Sequence, residues 1–195
     1  QGDSLVRNLT NQLRRYVYSD VEHVTGNYNS ITDLGITTNI NGLLEINSTT
    51  LSAALRDNFD EVGRVFARGA YTTDSLLEVN SQGVDVPAGV YQVNIASGTF
   101  GDPGPLNATI DNITATATDG LLLEGSGAFS TLSINVLGGS FGDRGQIIVF
   151  DGISKTLDNL IESFIGEEGS ITNQLSILDQ ANTSFAEKKI TLAKQ

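Results

Sequence analysis

Residues 34–66, LGITTNINGLLEINSTTLSAALRDNFDEVGRVF, decide how this chain is read. Asn41-Gly42 lies between ITTN and LLEIN, and Asn-Gly suits the two-residue type I′ turn, in which both central residues need positive φ. A tight hairpin is therefore expected here. Asn47 or Ser48 can then cap a short helix whose inward face is Leu51, Ala54 and Leu55. Asp60 can cap a second, with Val62 and Phe66 inward. Nothing in this stretch carries reactive chemistry.

Outward from it, three segments separate by composition. Residues 1–69 hold eight acidic and six basic residues, net −2. Residues 70–150 hold eight acidic residues and one base, Arg144, together with all three prolines and 12 of the 21 glycines. Residues 151–195 hold seven acidic and four basic residues. Glycine and proline disfavour helix interiors, so the middle segment must be rich in turns.

The first segment opens with a helix, capped by Asp3 or Ser4, with Leu5, Leu9, Leu13, Tyr16 and Val17 at helical spacing. Residues 24–32 are ambiguous, with Gly26-Asn27 marking a turn. In the middle segment VYQVNIA at 90–96 alternates Tyr91, Val93 and Ile95 against Val90, Gln92 and Asn94, the period of a half-buried strand. Further strands are expected near 76–79, 107–117, 121–124, 129–137 and 146–150. The turns between them are Pro87-Ala88-Gly89, Asp102-Pro103-Gly104, Asp119-Gly120 and Gly138-Gly139. A small antiparallel sheet or sandwich follows.

The third segment returns to helix. Ile153, Leu157, Leu160, Ile161 and Phe164 mark one face, and Gly166 is a natural stop. Ser170 is expected to cap a last helix in which Ile171, Leu175, Leu178, Asn182, Phe185, Lys189 and Leu192 follow spacings of four and three. That is a heptad seam with Asn182 and Lys189 at otherwise apolar positions. An ordinary amphipathic helix packed on one neighbour is the plain alternative. The fold class expected is α+β. A discontinuous helical leg of residues 1–69 and 151–195, including the hairpin, carries an inserted antiparallel β-rich lobe of residues 70–150.

Charge and chemistry narrow the function. With 195 residues and a net charge of −12, the chain repels phosphate backbones and anionic lipid. Nucleic acid and membrane surfaces are not expected partners, and no run of 18 apolar residues could span a bilayer. There is no cysteine, so no disulfide, thiolate metal site or cysteine nucleophile. His23 is the only histidine and its setting, DVEHVTG, offers no nucleophile; a structural role is expected. Asp111, Asp119 and Glu124, with Asp143 apart, are the best calcium candidates. None follows a known loop pattern, and solvated loop carboxylates are the expectation. No catalytic, cofactor-binding or metal site is assigned. The sequons at Asn8, Asn47, Asn107, Asn112 and Asn182 arise easily in a chain this rich in Asn and Thr. The chain lacks methionine and opens directly on a helix signal, so it reads as a piece of a longer polypeptide.

Several blocks resemble the C-terminal part of the flagellar filament cap family, also called hook-associated protein 2. The family's succession of leucine-glycine-isoleucine, a turn, Gly-x-Leu, a helix with an Ala-Leu pair, then Val and Phe is similar to Leu34, Gly35, Ile36, Gly42, Leu44, Leu51, Ala54, Leu55, Val62 and Phe66. Gly142-Asp143-Arg144-Gly145, followed by a strand, Gly152 and a Leu-rich helix, resembles a second block. The opening GDSLVRNLTNQL resembles the helix that precedes the first. PAGVYQVNI also looks like a small β-module of flagellar hook-associated proteins and some flagellins. The β-segment is longer than in the simplest members.

The resemblance implies a non-enzymatic, cofactor-free structural protein at the tip of the bacterial flagellum. Copies of it would form a ring that helps exported flagellin assemble and prevents its loss. Its partners would be itself, flagellin and hook–filament junction proteins. The exposed sides of the helices bearing Leu5, Leu9 and Leu13, and Ile171, Leu175 and Leu178, are the best interface candidates, with intramolecular core the favoured reading for any single one of these residues. A different class of function is a secreted adhesin whose β-lobe binds a host glycan or receptor; a junction protein or a flagellin is a near relative of the first reading. Without further terminal segments the chain is expected to be monomeric.

Overall fold

The computed structural model describes residues 2–41, 43–100, 104–117 and 120–193. The fold is α+β, as expected. Contacts divide it into two compact units, residues 1–18 with 155–195, and residues 19–154. Composition shifts at 69/70 and 150/151, whereas packing divides the chain at 18/19 and 154/155; residues 19–68 pack with the β-structure.

In the larger unit, residues 19–35 form a compact loop that buries Val21, Val24, Ile31 and Leu34. Asp33 organises it: its Oδ2 accepts from Asn29 N at 3.0 Å, Ser30 N at 2.9 Å and Ser30 Oγ at 2.9 Å. Burial pushes the Asp33 carboxyl up, but those bonds outweigh it and hold it below its ordinary value.

The hairpin follows as β1 (Ile36–Thr38) and β2 (Leu44–Ile46), antiparallel, with Thr38 opposite Leu44. That register corrects the expected turn. Asn41-Gly42 at the centre of a two-residue loop would pair residue 40 with 43, whereas here Asn39 N donates to Leu43 O at 2.8 Å. Asn39 Oδ1 accepts from Asn41 N at 2.9 Å and Leu43 N at 3.1 Å, so a side-chain carbonyl organises an odd-length loop. Gly42 itself lies outside the described residues.

The two helices are α2 (Ser48–Asp57) and α3 (Phe59–Phe66). Asn47 caps α2, its Oδ1 accepting from Thr49 N at 3.1 Å and Thr50 N at 3.2 Å. Asp60 does not cap α3. Asn58 N closes α2 on Ala54 O while Asn58 O accepts from Val62 N. The two helices thus share one residue, and Asp60 and Glu61 fall in the first turn of α3, where carboxylates suit the helix dipole. The inward face also differs: Ala54, Val62 and Val65 are buried, Leu51 half-buried, and Leu55 and Phe66 exposed.

The rest of the unit is one eight-stranded antiparallel sheet. Its strands are β3 (Gly69–Thr72), β4 (Leu77–Gln82), β5 (Gly89–Gly98), β6 (Leu106–Ile110), β7 (Ile113–Ala117), β8 (Leu122–Gly125), β9 (Leu132–Val136) and β10 (Gly142–Phe150). The order is β3-β10-β5-β6-β7-β8-β9-β4. The two edge strands, β3 and β4, are consecutive in sequence, and Thr72 Oγ1 of β3 bonds Leu77 O of β4, so the sheet curls almost into a barrel. Alternate residues fill it: Val93 and Ile95, Leu106, Ala108 and Ile110, Ala115 and Ala117, Leu132, Ile134 and Val136, Ile147 and Val149. Phe129 meets the Tyr91 ring edge-on at 4.9 Å.

Two features depart from expectation. The stretch 107–117, expected as one strand, is a hairpin of β6 and β7 turning at Asp111 and Asn112, with φ of 50° and 65°. This is the type I′ geometry expected of Asn41-Gly42. And β10 begins earlier than 146, because a bulge between Asp143 and Gln146 lets the strand continue. The bulge turns Arg144 inward, where it is 4% exposed. Its Nε donates to Asp74 Oδ2 at 2.7 Å and its Nη2 to Gly138 O at 2.9 Å. That guanidinium holds the Asp74 carboxyl below its ordinary value.

The smaller unit comprises α1 (Gly2–Tyr18), the body of α4 (Ile153–Ile165) and α5 (Ser170–Leu192). Because α1 already runs over Asp3 and Ser4, neither is its cap; the Asp3 side chain lies outside the description. In α4, Leu160 and Phe164 are buried and Leu157 half-buried, while Ile161, expected inward, is exposed. Gly166 N closes α4 on Glu162 O at 2.8 Å. The cap of α5 is Gly169, not Ser170. A Cβ at Gly169 would sit 2.5 Å from Phe164 O, so the close return onto α4 demands glycine there.

Candidate interaction surface

The candidate sites of the sequence fall into two kinds, and the chemical ones disperse. Asp111 occupies the β6–β7 turn. Glu124 stands on β8, in register with Thr116 and Ser133. Asp143 Oδ1 accepts from Gln92 Nε2 and, at 2.8 Å, from Gly145 N. Asp119 and the Asp102-Pro103 turn lie outside the described residues. Among the described residues no three His, Asp or Glu side chains converge as metal ligands. His23 adopts a left-handed φ of 66°, and its carbonyl accepts from Tyr71 Oη at 3.4 Å. Among the described residues no helix is long and apolar enough to cross a membrane.

The apolar surfaces are where the arrangement departs from an inert fold. Helix α5 is 23 residues long and buries none of them. Its seam residues Leu175, Leu178 and Phe185 are 59%, 58% and 69% exposed, and Leu192 is exposed too. Ile171 is half-buried. On α1, Leu5, Leu9, Leu13 and Val17 are half-buried and Tyr16 is exposed. A helix 23 residues long that presents a row of Leu and Phe to water gains almost nothing from packing within its own unit. Its apolar row is the property of a surface that another helix can cover.

A second surface was not anticipated. On the hairpin, Ile40, Leu43, Leu44 and Ile46 are all exposed, and so is Phe59 at the start of α3. The signal was legible: LLEI puts Leu44 and Ile46 on one side of β2 and Leu43 on the other. A hairpin apolar on both sides cannot hide both against one neighbour.

The chain resembles flagellar hook-associated protein 2 of Vibrio cholerae serotype O1, with 40% identity over 65 residues, covering 33% of this chain and 10% of that protein. It is 38% identical over 65 residues to polar flagellar hook-associated protein 2 of Vibrio parahaemolyticus serotype O3:K6, with the same coverage. The matched stretch thus spans a tenth of each relative's length. No solved structure gives a significant match. The family described as "Flagellar hook-associated protein 2 C-terminus" matches residues 1–195. With that match running from the first residue to the last, the chain belongs to the flagellar hook-associated protein 2 C-terminal family.

Proposed function

We propose that this chain is part of a filament-capping protein at the extracellular tip of the bacterial flagellum. There it promotes assembly of exported flagellin and prevents its loss, without catalysis or cofactor. The whole-length family match carries this reading. The exposed seam of α5 and the exposed hairpin add what a capping device needs, namely apolar surface left for other subunits. The partners in this reading are further copies of the chain arranged as a ring, flagellin and the hook–filament junction proteins. In this reading the subunit and filament contacts come from the exposed seam of α5 and from the exposed hairpin. A net charge of −12 keeps such an assembly from nucleic acid and anionic lipid.

The test uses the full-length parent gene with the segment 151–195 removed, scored for swimming and for flagellin released into the medium. Cells that do not swim, that spill monomeric flagellin, and that recover with the intact gene support the reading. Normal filaments and motility reject it. A parent carrying Leu178→Asp and Phe185→Asp answers the same question without removing the end of the chain.

A further inference from the structure

The chain enters the sheet and leaves it at one place, and that place is unusually well tied. It enters from α3 through Ala67 and Arg68 into β3, and leaves from Phe150 of β10 through Asp151 and Gly152 into α4. The two connections touch: a Cβ on Gly152 would lie 2.5 Å from Ala67 N and from Phe66 C. A Cβ on Gly69 would lie 2.6 Å from the Phe150 ring. Two adjacent backbone connections with small residues on each make a natural hinge.

Two side chains lock it. The Arg68 guanidinium pairs with Asp151 through Nη1. Its Nη2 donates to Gly83 O at 3.0 Å and to Val86 O, both in the β4–β5 connection. The entry and exit connections and the neighbouring sheet turn are thus held by one planar group, the geometry for which Arg is suited and Lys is not. On the other side, Tyr71 of β3 carries the Arg64 guanidinium of α3 4.2 Å from its ring centroid. Its hydroxyl donates to His23 O, and its ring lies 6.0 Å from that of Phe150.

We propose that Tyr71 bolts the block formed by residues 19–66 to the sheet and that Arg68 fixes the connection between them, so that block and sheet open as one cooperative body. A hinge that the sequence pattern leaves free is closed by an ion pair and a cation–π contact. Fluctuation reaching the hairpin is then passed to the eight strands instead of being absorbed at Ala67.

Native-state hydrogen exchange on the full 195-residue chain tests this, with peptides covering 48–66 and 89–110 read together. In the unmodified chain, the most protected amides of α3 exchange with the same opening equilibrium as β5 and β6. In Arg68→Met, protection of 48–66 falls by about tenfold or more while that of 89–110 changes far less, because Asp151 loses its partner at the connection and the freed carbonyls of Gly83 and Val86 lie outside both peptides. Asp151→Asn and Tyr71→Leu move 48–66 in the same direction by less, and Asp151→Asn carries the test if Arg68→Met fails to fold. The proposal is overturned if α3 already exchanges independently of the sheet in the unmodified chain. It is equally overturned if the variants lower both regions alike, or neither.

Discussion

Replacing Leu178 by alanine distinguishes a helix packed within its own chain from one that keeps its seam for a partner. Leu178 is 58% exposed, so about two-fifths of its surface is covered. Full burial of a leucine side chain is worth roughly 1.5–3 kcal/mol. The covered fraction is then worth at most about 1 kcal/mol, and part of it is already covered in the unfolded chain. At roughly 2–4 °C per kcal/mol for a chain of this size, Leu178→Ala should lower the midpoint by less than about 4 °C. The contrast is Ile134→Ala in β9, a fully buried side chain in the sheet's core. That substitution removes transfer energy and leaves a cavity, costing about 2–5 kcal/mol, or roughly 4–20 °C.

The assay is thermal unfolding of the isolated chain followed by circular dichroism, at two protein concentrations tenfold apart. The helix signal reports Leu178→Ala and the sheet signal Ile134→Ala. The small effect of Leu178→Ala should also be independent of concentration. If Leu178→Ala costs as much as Ile134→Ala at both concentrations, the seam is intramolecular core and the argument for α5 as an interface fails.

Three further outcomes follow from local geometry. The Asp74 carboxyl is held below its ordinary value by Arg144, so its contribution to stability is complete above the unfolded value near 3.8 and is lost as pH falls through and below it. Asp74→Asn should therefore lower the midpoint more at pH 7 than at pH 3, and a pH-independent difference would show that the charge is not what matters. Asn47→Ala removes the acceptor for two backbone N–H groups of α2 and should cost about 1 kcal/mol in denaturant unfolding, whereas Asn47→Asp should be close to neutral. At Asn112, with φ of 65°, Asn112→Gly should be tolerated, while Asn112→Val, β-branched in a left-handed conformation, should cost about 1–2 kcal/mol. Equal midpoints for the two would contradict the turn.

What the sequence made legible was set by where the physics is local. The alternation of Tyr91, Val93 and Ile95 named its strand because one face of β5 is buried. The Asn47 cap was legible because capping depends on three residues and their amides. The misses lie where a choice is made by partners far away in sequence. Asn41-Gly42 carries the stronger turn signal, yet the loop is organised by the side chain of Asn39 and the type I′ turn goes to Asp111-Asn112, where Ile110 and Ile113 face each other across two strands. The helix starts at Asp60 and Ser170 were each misplaced because a backbone approach, Asn58 shared between helices and Gly169 against Phe164, fixed the boundary first.

The interaction surfaces follow the same logic in reverse. A heptad spacing predicts that a row of side chains can be buried, but not against what, and in α5 the row remains open because Gly166 and Gly169 turn the chain after α4 without giving α5 a full-length neighbour to bury it against. Asn182 and Lys189 within that row would penalise indiscriminate apolar association while tolerating a partner that meets them in one register. An apolar seam broken by polar residues, on a chain with a net charge of −12, has the composition that favours one matched helix over indiscriminate apolar contact.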